Sequence, residues 1–195
     1  MGRKLGHIDI LLVCTANQCR SPMAEGLLRT HLADAGIPAI VGSAGLLPGG
    51  APATHHGVAA MAARGIDTSR HVSRQLDAEL VRTTPLIIGM ARRHVREAVV
   101  TYGAAIERTF TLKELVRRGE KVGPRLPTEP VSRWLARVAA GRVVSDLVGD
   151  DPEDDVADPI GRPRSEYEVT ADELDDLTGR FVALLVGVGN VAAPG

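Results

Sequence analysis

The sequence predicts an α/β fold, an open parallel sheet covered by helices on both faces, and three observations predict it. Short apolar runs alternate with longer helical patterns, as parallel βαβ units require. The helical patterns stop at glycine, the residue that takes the left-handed cap conformation most readily. With 195 residues, 44% hydrophobic and 24% charged, the chain suits one soluble domain with a full core rather than two small ones.

In chain order, Ile8–Val13 reads as the first buried strand. A helix follows over Pro22–Ala35, stopping at Gly36. Ala39–Val41 is the second strand, and Thr54–Arg64 the next helix, stopping at Gly65. Leu86–Ile88, after Pro85, is the third strand, and Arg92–Tyr102 is helical up to Gly103. Ile106–Phe110 is a fourth strand candidate. The second half reads as helical at Leu112–Arg118, Val131–Ala140 and Glu166–Val186. Gly119–Pro130 and the acidic, Pro-punctuated Gly149–Pro163 are expected to be loops, long enough for a function. The Ala/Gly-rich C-terminal end is expected to fray.

Charge and cysteine usage narrow the function classes. The 23 basic and 24 acidic residues give a net charge of −1, without the basic excess of a protein that tracks nucleic acid. Cys14 and Cys19 are the two cysteines, too few and too close for a structural disulfide framework. The run Ile8–Val13 is broken by Asp9 and too short for a signal-peptide core or a membrane span. Gly2 invites myristoylation, but Gly6 stands where Ser or Thr is needed. A cytoplasmic enzyme is the expectation; the oligomeric state is not legible.

Function becomes readable between Cys14 and Pro22. A buried strand ends at Cys14; Thr15, Ala16, Asn17, Gln18 and Cys19 follow, then Arg20, and Ser21-Pro22 opens a helix. A thiol at the carboxyl end of a strand faces a helix amino terminus, the crevice where open α/β sheets bind ligands. Converging loop N–H groups and the helix terminus favour an anion there, and they favour Cys14 as a thiolate nucleophile. Arg20 can offer a planar fork to two phosphoryl oxygens. Ser21 is placed to donate to the Cys14 sulfur, and Asn17 can hold a left-handed loop position.

The string Val13-Cys14, Asn17, Cys19-Arg20-Ser21-Pro22-Met23-Ala24-Glu25 resembles the active-site signature of the low-molecular-weight protein tyrosine phosphatases. Gly42-Ser43-Ala44-Gly45, Gly65-Ile66-Asp67, Ser73-Arg74-Gln75-Leu76 and Gly89-Met90 resemble later segments of that family, read most like actinobacterial members. The resemblance implies a four-stranded sheet in the order 2-1-3-4, with the phosphate-binding loop after the first strand. It also implies hydrolysis through a phosphocysteine on Cys14, without metal or cofactor. That family uses a downstream Asp-Pro pair, so Asp158-Pro159 supplies the expected general acid, which then serves as base. The acids from Asp150 to Asp155 are expected to point outward as a solvated run. Cys19 matches a second loop cysteine that can pair reversibly with the nucleophile; the alternative is a small side chain packed in the loop wall, and the two are compatible.

Three departures bear on substrate. Ile160 and Gly161 follow Asp-Pro where the family places aromatic residues, Leu46 and Leu47 line the other side, and only 3% of the chain is aromatic. A phosphotyrosine protein is the expected substrate. A small phosphomonoester is the alternative of the same chemistry, and a low-molecular-weight-thiol-coupled arsenate reductase is the alternative from another class. Arg162 and Arg164 lie near the expected mouth, as solvated surface or as contacts for acidic substrates. His55-His56 is not expected to hold a metal, since adjacent helical residues point about 100° apart. His94, at the start of the helix after the third strand, is placed to approach the active-site face, though a lone histidine there is more often a capping or surface residue; Trp134 is read as core or a partner-facing patch. Arg133, Arg137 and Arg142 read as one short basic helix.

Overall fold

The structure is a computed structural model and describes residues 8–187. The end expected to fray, together with Gly2 and Gly6, lies outside the described residues. β1 (Ile8–Cys14), β2 (Ala39–Gly45), β3 (Leu86–Gly89) and β4 (Thr109–Thr111) form one parallel sheet in the order β2-β1-β3-β4. Helices α1 (Arg20–Asp34), α2 (His55–Ala62), α3 (Ala78–Thr83), α4 (Arg92–Arg96), α5 (Leu112–Val122), α6 (Val131–Ala139) and α7 (Arg164–Val186) surround it.

Side chains alternate across β1, so the two faces have separate cores. Ile10, Leu12 and Cys14 point with Ile88 and Phe110 into the larger core, against Met23, Leu27, Trp134 and Phe181. Leu11 and Val13 point with Ile87 to the other face, against Leu76, Val81 and Ala98. Burial on both sides explains why the strands read as continuous apolar runs.

Several boundaries differ from the sequence reading, each for a local reason. β2 runs past Val41 to Gly45, because its glycines pair with β1 and admit close neighbours. A Cβ on Gly45 would lie 2.6 Å from the Asn17 backbone nitrogen. α5 continues through Gly119, which lets Leu184 and Trp134 approach the helix and does not end it. Beyond Arg96, α4 widens into a π-helical turn over Glu97–Thr101 and stops before Gly103, whose φ is +71°. The candidate Ile106–Phe110 divides into a 3₁₀ turn, Ile106–Arg108, and then β4. The short helix α3 lacks a periodic signal but carries a cap, with Asp77 accepting from Leu80 N at 2.8 Å.

Arginines cover backbone groups at both sheet edges. Arg29 donates to the Val41 carbonyl and Arg74 to that of Ser43 along β2. Gly45 N donates to Arg74 O, and Gly45 O accepts from Leu76 N. At β4, Arg142 donates to the Thr109 carbonyl, pairs with Glu114 at 2.6 Å, and stacks 4.2 Å over Phe110. Arg142 lies beyond the end of α6 and is buried, so it does not belong to an exposed basic face with Arg133 and Arg137. Trp134 is core, with its ring nitrogen donating to Gly123 O at 3.0 Å. No helix among the described residues is long and apolar enough to cross a membrane.

Candidate active site

β1 delivers Cys14 to its carboxyl end, and α1 begins at Arg20, leaving residues 15–19 as a tight loop. Asn17 is the residue around which the loop is built. Its φ is +53°, the only non-glycine positive φ among the described residues. The side chain has every polar group engaged. Nδ2 donates to Ser21 Oγ at 2.9 Å and Ser43 Oγ at 2.8 Å, and Oδ1 accepts from Arg74 N at 2.9 Å. Its carbonyl accepts from His71 Nε2 at 2.7 Å, assuming the Nε2–H form. Leaving one such buried group unpaired costs about 1–3 kcal/mol, so the residue type is tightly specified.

These bonds aim donors at the Cys14 sulfur. Asn17 N donates to Cys14 Sγ at 3.2 Å, and Ser21 Oγ lies 3.0 Å from the same sulfur. Ser21 already accepts from Asn17, so its one hydrogen is available to point at sulfur. Ser43, likewise an acceptor from Asn17, donates to Glu25 Oε2 at 2.5 Å.

Arg20 is 98% buried as a side chain, with 2% exposed, and it joins the loop to residues far downstream. Nη1 donates to Val156 O at 3.0 Å, while Nη2 donates to Thr15 Oγ1 at 3.2 Å and is ion-paired with Asp158 Oδ2. Its Nε is buried with no hydrogen-bond partner among the described residues, a donor available to an anion in the loop. Asp158 is therefore beside the loop.

Of the acids before it, Asp150 and Glu153 are exposed as expected, but Asp151, Asp154 and Asp155 turn inward. Asp154 is buried between Arg92, at 2.7 Å, and Arg117, at 2.5 Å. Asp151 pairs with Arg92 at 2.7 Å, and Asp155 accepts from Arg92 N, in the first turn of α4, at 2.7 Å. Val156 N donates to Met90 O at 2.8 Å, so the acid segment is fastened to the end of β3. Acidic density that reads as a solvated run serves in part as an anchor because two arginines, Arg92 and Arg117, lie on other elements.

Two residues were missed or misread in the sequence. His94 is wholly buried, not at the surface, and its Nε2 lies 3.1 Å from Thr15 Oγ1. Burial, reinforced by Arg20 and Arg93, holds its pKa down at about 2, so it is neutral at ordinary pH. Arg93 was not singled out; its Nη2 donates to the same Thr15 oxygen at 3.0 Å. Nothing local in Arg92-Arg93-His94 marks these roles. Cys19 is buried in the loop wall, and burial, with Asp158 and Cys14 nearby, pushes its pKa up to about 12. Both cysteines are free thiols. Arg164 pairs with Glu168 at 2.8 Å. Leu47 and Ile160 are 50% and 47% exposed. His56 packs edge-on to Tyr167 at 5.4 Å, and no group of three or more His, Cys, Asp or Glu side chains among the described residues is arranged to hold a metal ion.

Comparisons with known proteins place the chain among related proteins. Residues 9–127 match the family described as low molecular weight phosphotyrosine protein phosphatase. The chain belongs to that family. It is an enzyme, a cysteine-dependent phosphatase that hydrolyses phosphomonoesters. A protein-arginine-phosphatase of Bacillus subtilis is 31% identical over 172 residues, covering 87% of this chain and 91% of that protein. A probable low molecular weight protein-tyrosine-phosphatase, EpsP of Ralstonia solanacearum, is 40% identical over 54% of this chain and 71% of its own length. Among solved structures, a low molecular weight protein tyrosine phosphatase from T. tengcongensis superimposes with a TM-score of 0.67 at 30% identity, covering 90% of this phosphatase and 97% of that chain.

Proposed function

We propose that this phosphatase acts on phosphorylated protein side chains, phosphotyrosine foremost, in the cytoplasm. Cys14 attacks phosphorus, Arg20 and the loop N–H groups hold the phosphoryl oxygens, and Asp158 protonates the leaving oxygen. The ionised Asp158 then takes a proton from the water that hydrolyses the phosphocysteine. The observation that carries this reading is Arg20, buried over the loop with an unpartnered Nε, and with Asp158 on its other arm. The phosphate dianion displaces that carboxylate from Arg20.

Release of p-nitrophenol from p-nitrophenyl phosphate, measured in EDTA, tests it. Turnover is expected to vanish in Cys14→Ser and to fall about 10²-fold or more in Asp158→Ala. Persistent turnover in Cys14→Ser sinks the mechanism.

Phosphoarginine is a second reading, favoured by one observation. The Bacillus subtilis and Geobacillus stearothermophilus relatives named protein-arginine-phosphatase align with 87% and 90% of this chain. Leu47 and Ile160, the aliphatic and half-exposed residues that stand where wall aromatics are expected, offer a tyrosyl ring no stacking partner, which suits either side chain. Comparing kcat/KM on phosphotyrosine and phosphoarginine peptides of one sequence decides between them.

A further inference from the structure

Thr15 Oγ1 is shared by two guanidinium groups, accepting from Arg20 Nη2 at 3.2 Å and Arg93 Nη2 at 3.0 Å. Both nitrogens also face one carboxylate oxygen. Arg20 Nη2 is ion-paired with Asp158 Oδ2, and Arg93 Nη2 lies 3.8 Å from it. An anionic oxygen therefore already sits between two cations, one buried and one 41% exposed.

We propose that Arg93 is a second phosphoryl-binding residue of the active site. An oxygen of the bound phosphoryl group takes the place between Arg20 and Arg93 that Asp158 Oδ2 holds, and Asp158 turns towards the leaving group. The inference rests on the reading of the Cys14 loop as a phosphate seat and adds to it a cation from the other side of the sheet.

Hydrogen-bond logic shows that Arg93 is held ready. A threonine hydroxyl has one hydrogen and two lone pairs. Two guanidinium donors occupy the lone pairs, so the hydrogen goes to His94 Nε2, 3.1 Å away. That nitrogen must be bare, which places the imidazole proton on Nδ1, buried and without a hydrogen-bond partner among the described residues. Arg93 Nε also approaches His94 Nε2, at 3.4 Å. The buried imidazole thus fixes the hydroxyl, and the hydroxyl fixes one arm of each arginine. Arg93 Nη1 keeps its donors unspent among the described residues. Two preorganised guanidinium groups converging on one site suit a dianion better than one, since charge-assisted bonds to phosphate add.

Inorganic phosphate is the probe, titrated by calorimetry into the Cys14→Ser protein at fixed ionic strength. Adding Arg93→Ala is expected to weaken binding about tenfold, the loss of one charge-assisted hydrogen bond. Arg93→Lys is expected to recover part of that loss, and Arg20→Ala to abolish binding. Thermal melts of each variant establish that it is folded. Unchanged phosphate affinity in folded Arg93→Ala protein overturns the inference. So does a fall in kcat, in the Cys14 background, with phosphate affinity intact, because it assigns Arg93 to Asp158 alone. If the Cys14→Ser protein binds no phosphate at all, the seat itself is misread and both conclusions fall. Binding by it that ignores Arg93 removes only this one.

Discussion

Arg20 and Val156 stand 136 positions apart in the chain and are joined by one hydrogen bond, Arg20 Nη1 donating to the Val156 carbonyl at 3.0 Å. The phosphate-loop cation is thereby tied to the segment that carries Asp158. The same segment is fixed from the other side by Val156 N on Met90 O and by Asp155 on the first turn of α4. Placement of Asp158 is a property of these anchors as much as of its own ion pair with Arg20.

Asp154 is the anchor whose loss can be measured most directly. Asp154→Ala strips a buried carboxylate from Arg92 and Arg117 and is expected to cost on the order of 2–3 kcal/mol of stability. Loosening of the acid segment is expected to lower kcat several-fold while phosphate affinity, measured with Cys14→Ser, holds. Urea unfolding and steady-state kinetics check the two effects; a wild-type kcat in Asp154→Ala would refute the anchoring role.

His94 makes stability depend on pH. The unfolded chain protonates it as pH falls through about 6.5, whereas the folded protein keeps it neutral down to about 2. The unfolded state therefore binds the extra proton throughout that window. His94's contribution is fully present above pH 6.5 and declines by about 1.4 kcal/mol per pH unit below it. His94→Asn is expected to flatten the stability curve between pH 7 and pH 5 relative to wild type. Parallel curves for the two proteins would mean that His94 is protonated in the fold.

Cys19, held at about 12 by burial and its neighbours, is a thiolate to the extent of on the order of one part in 10⁵ at neutral pH. Iodoacetamide at pH 7 is expected to modify Cys14 well before Cys19, with Cys19 reacting only after denaturation. Closure of a Cys14–Cys19 disulfide after mild peroxide should be correspondingly slow. Peptide mass spectrometry reads both, and equal labelling of the two cysteines in folded protein would contradict the expected order.

Leu47 and Ile160, expected to wall the substrate, are aliphatic and about half exposed. Replacing Leu47 or Ile160 by Tyr gives a substrate ring a stacking partner worth about 0.5–1.5 kcal/mol. KM for a phosphotyrosine peptide is expected to fall about two- to tenfold, with phosphate affinity unmoved. No change in either variant would place the ring elsewhere.

What the sequence disclosed follows how local each signal is. Cys14 to Ser21 is one strand, one turn and one helix start, so the nucleophile, the left-handed Asn17 and the Ser21 donor are all readable within eight consecutive letters. Asp158 was legible only through the family resemblance, since Asp-Pro by itself is a common turn. The roles of Arg93 and Asp154 were not legible, and His94 was readable only as a residue able to approach the active-site face, because their contacts exist only where α4 meets the first loop and the acid segment. The sheet was readable from its apolar runs. Gly42, Gly45 and Gly119 misled, because a glycine that admits a close neighbour has the same letter as one that ends an element.

The arginines along β2 have a consequence for how copies of the protein meet. A strand at the margin of a sheet ordinarily offers a row of unpaired backbone groups on which another chain can add itself. Here the carbonyls of Val41 and Ser43 and both backbone groups of Gly45 are already bonded within the molecule. A neighbouring polypeptide arriving at that margin finds no continuous ladder to extend, and the sheet terminates without seeding growth.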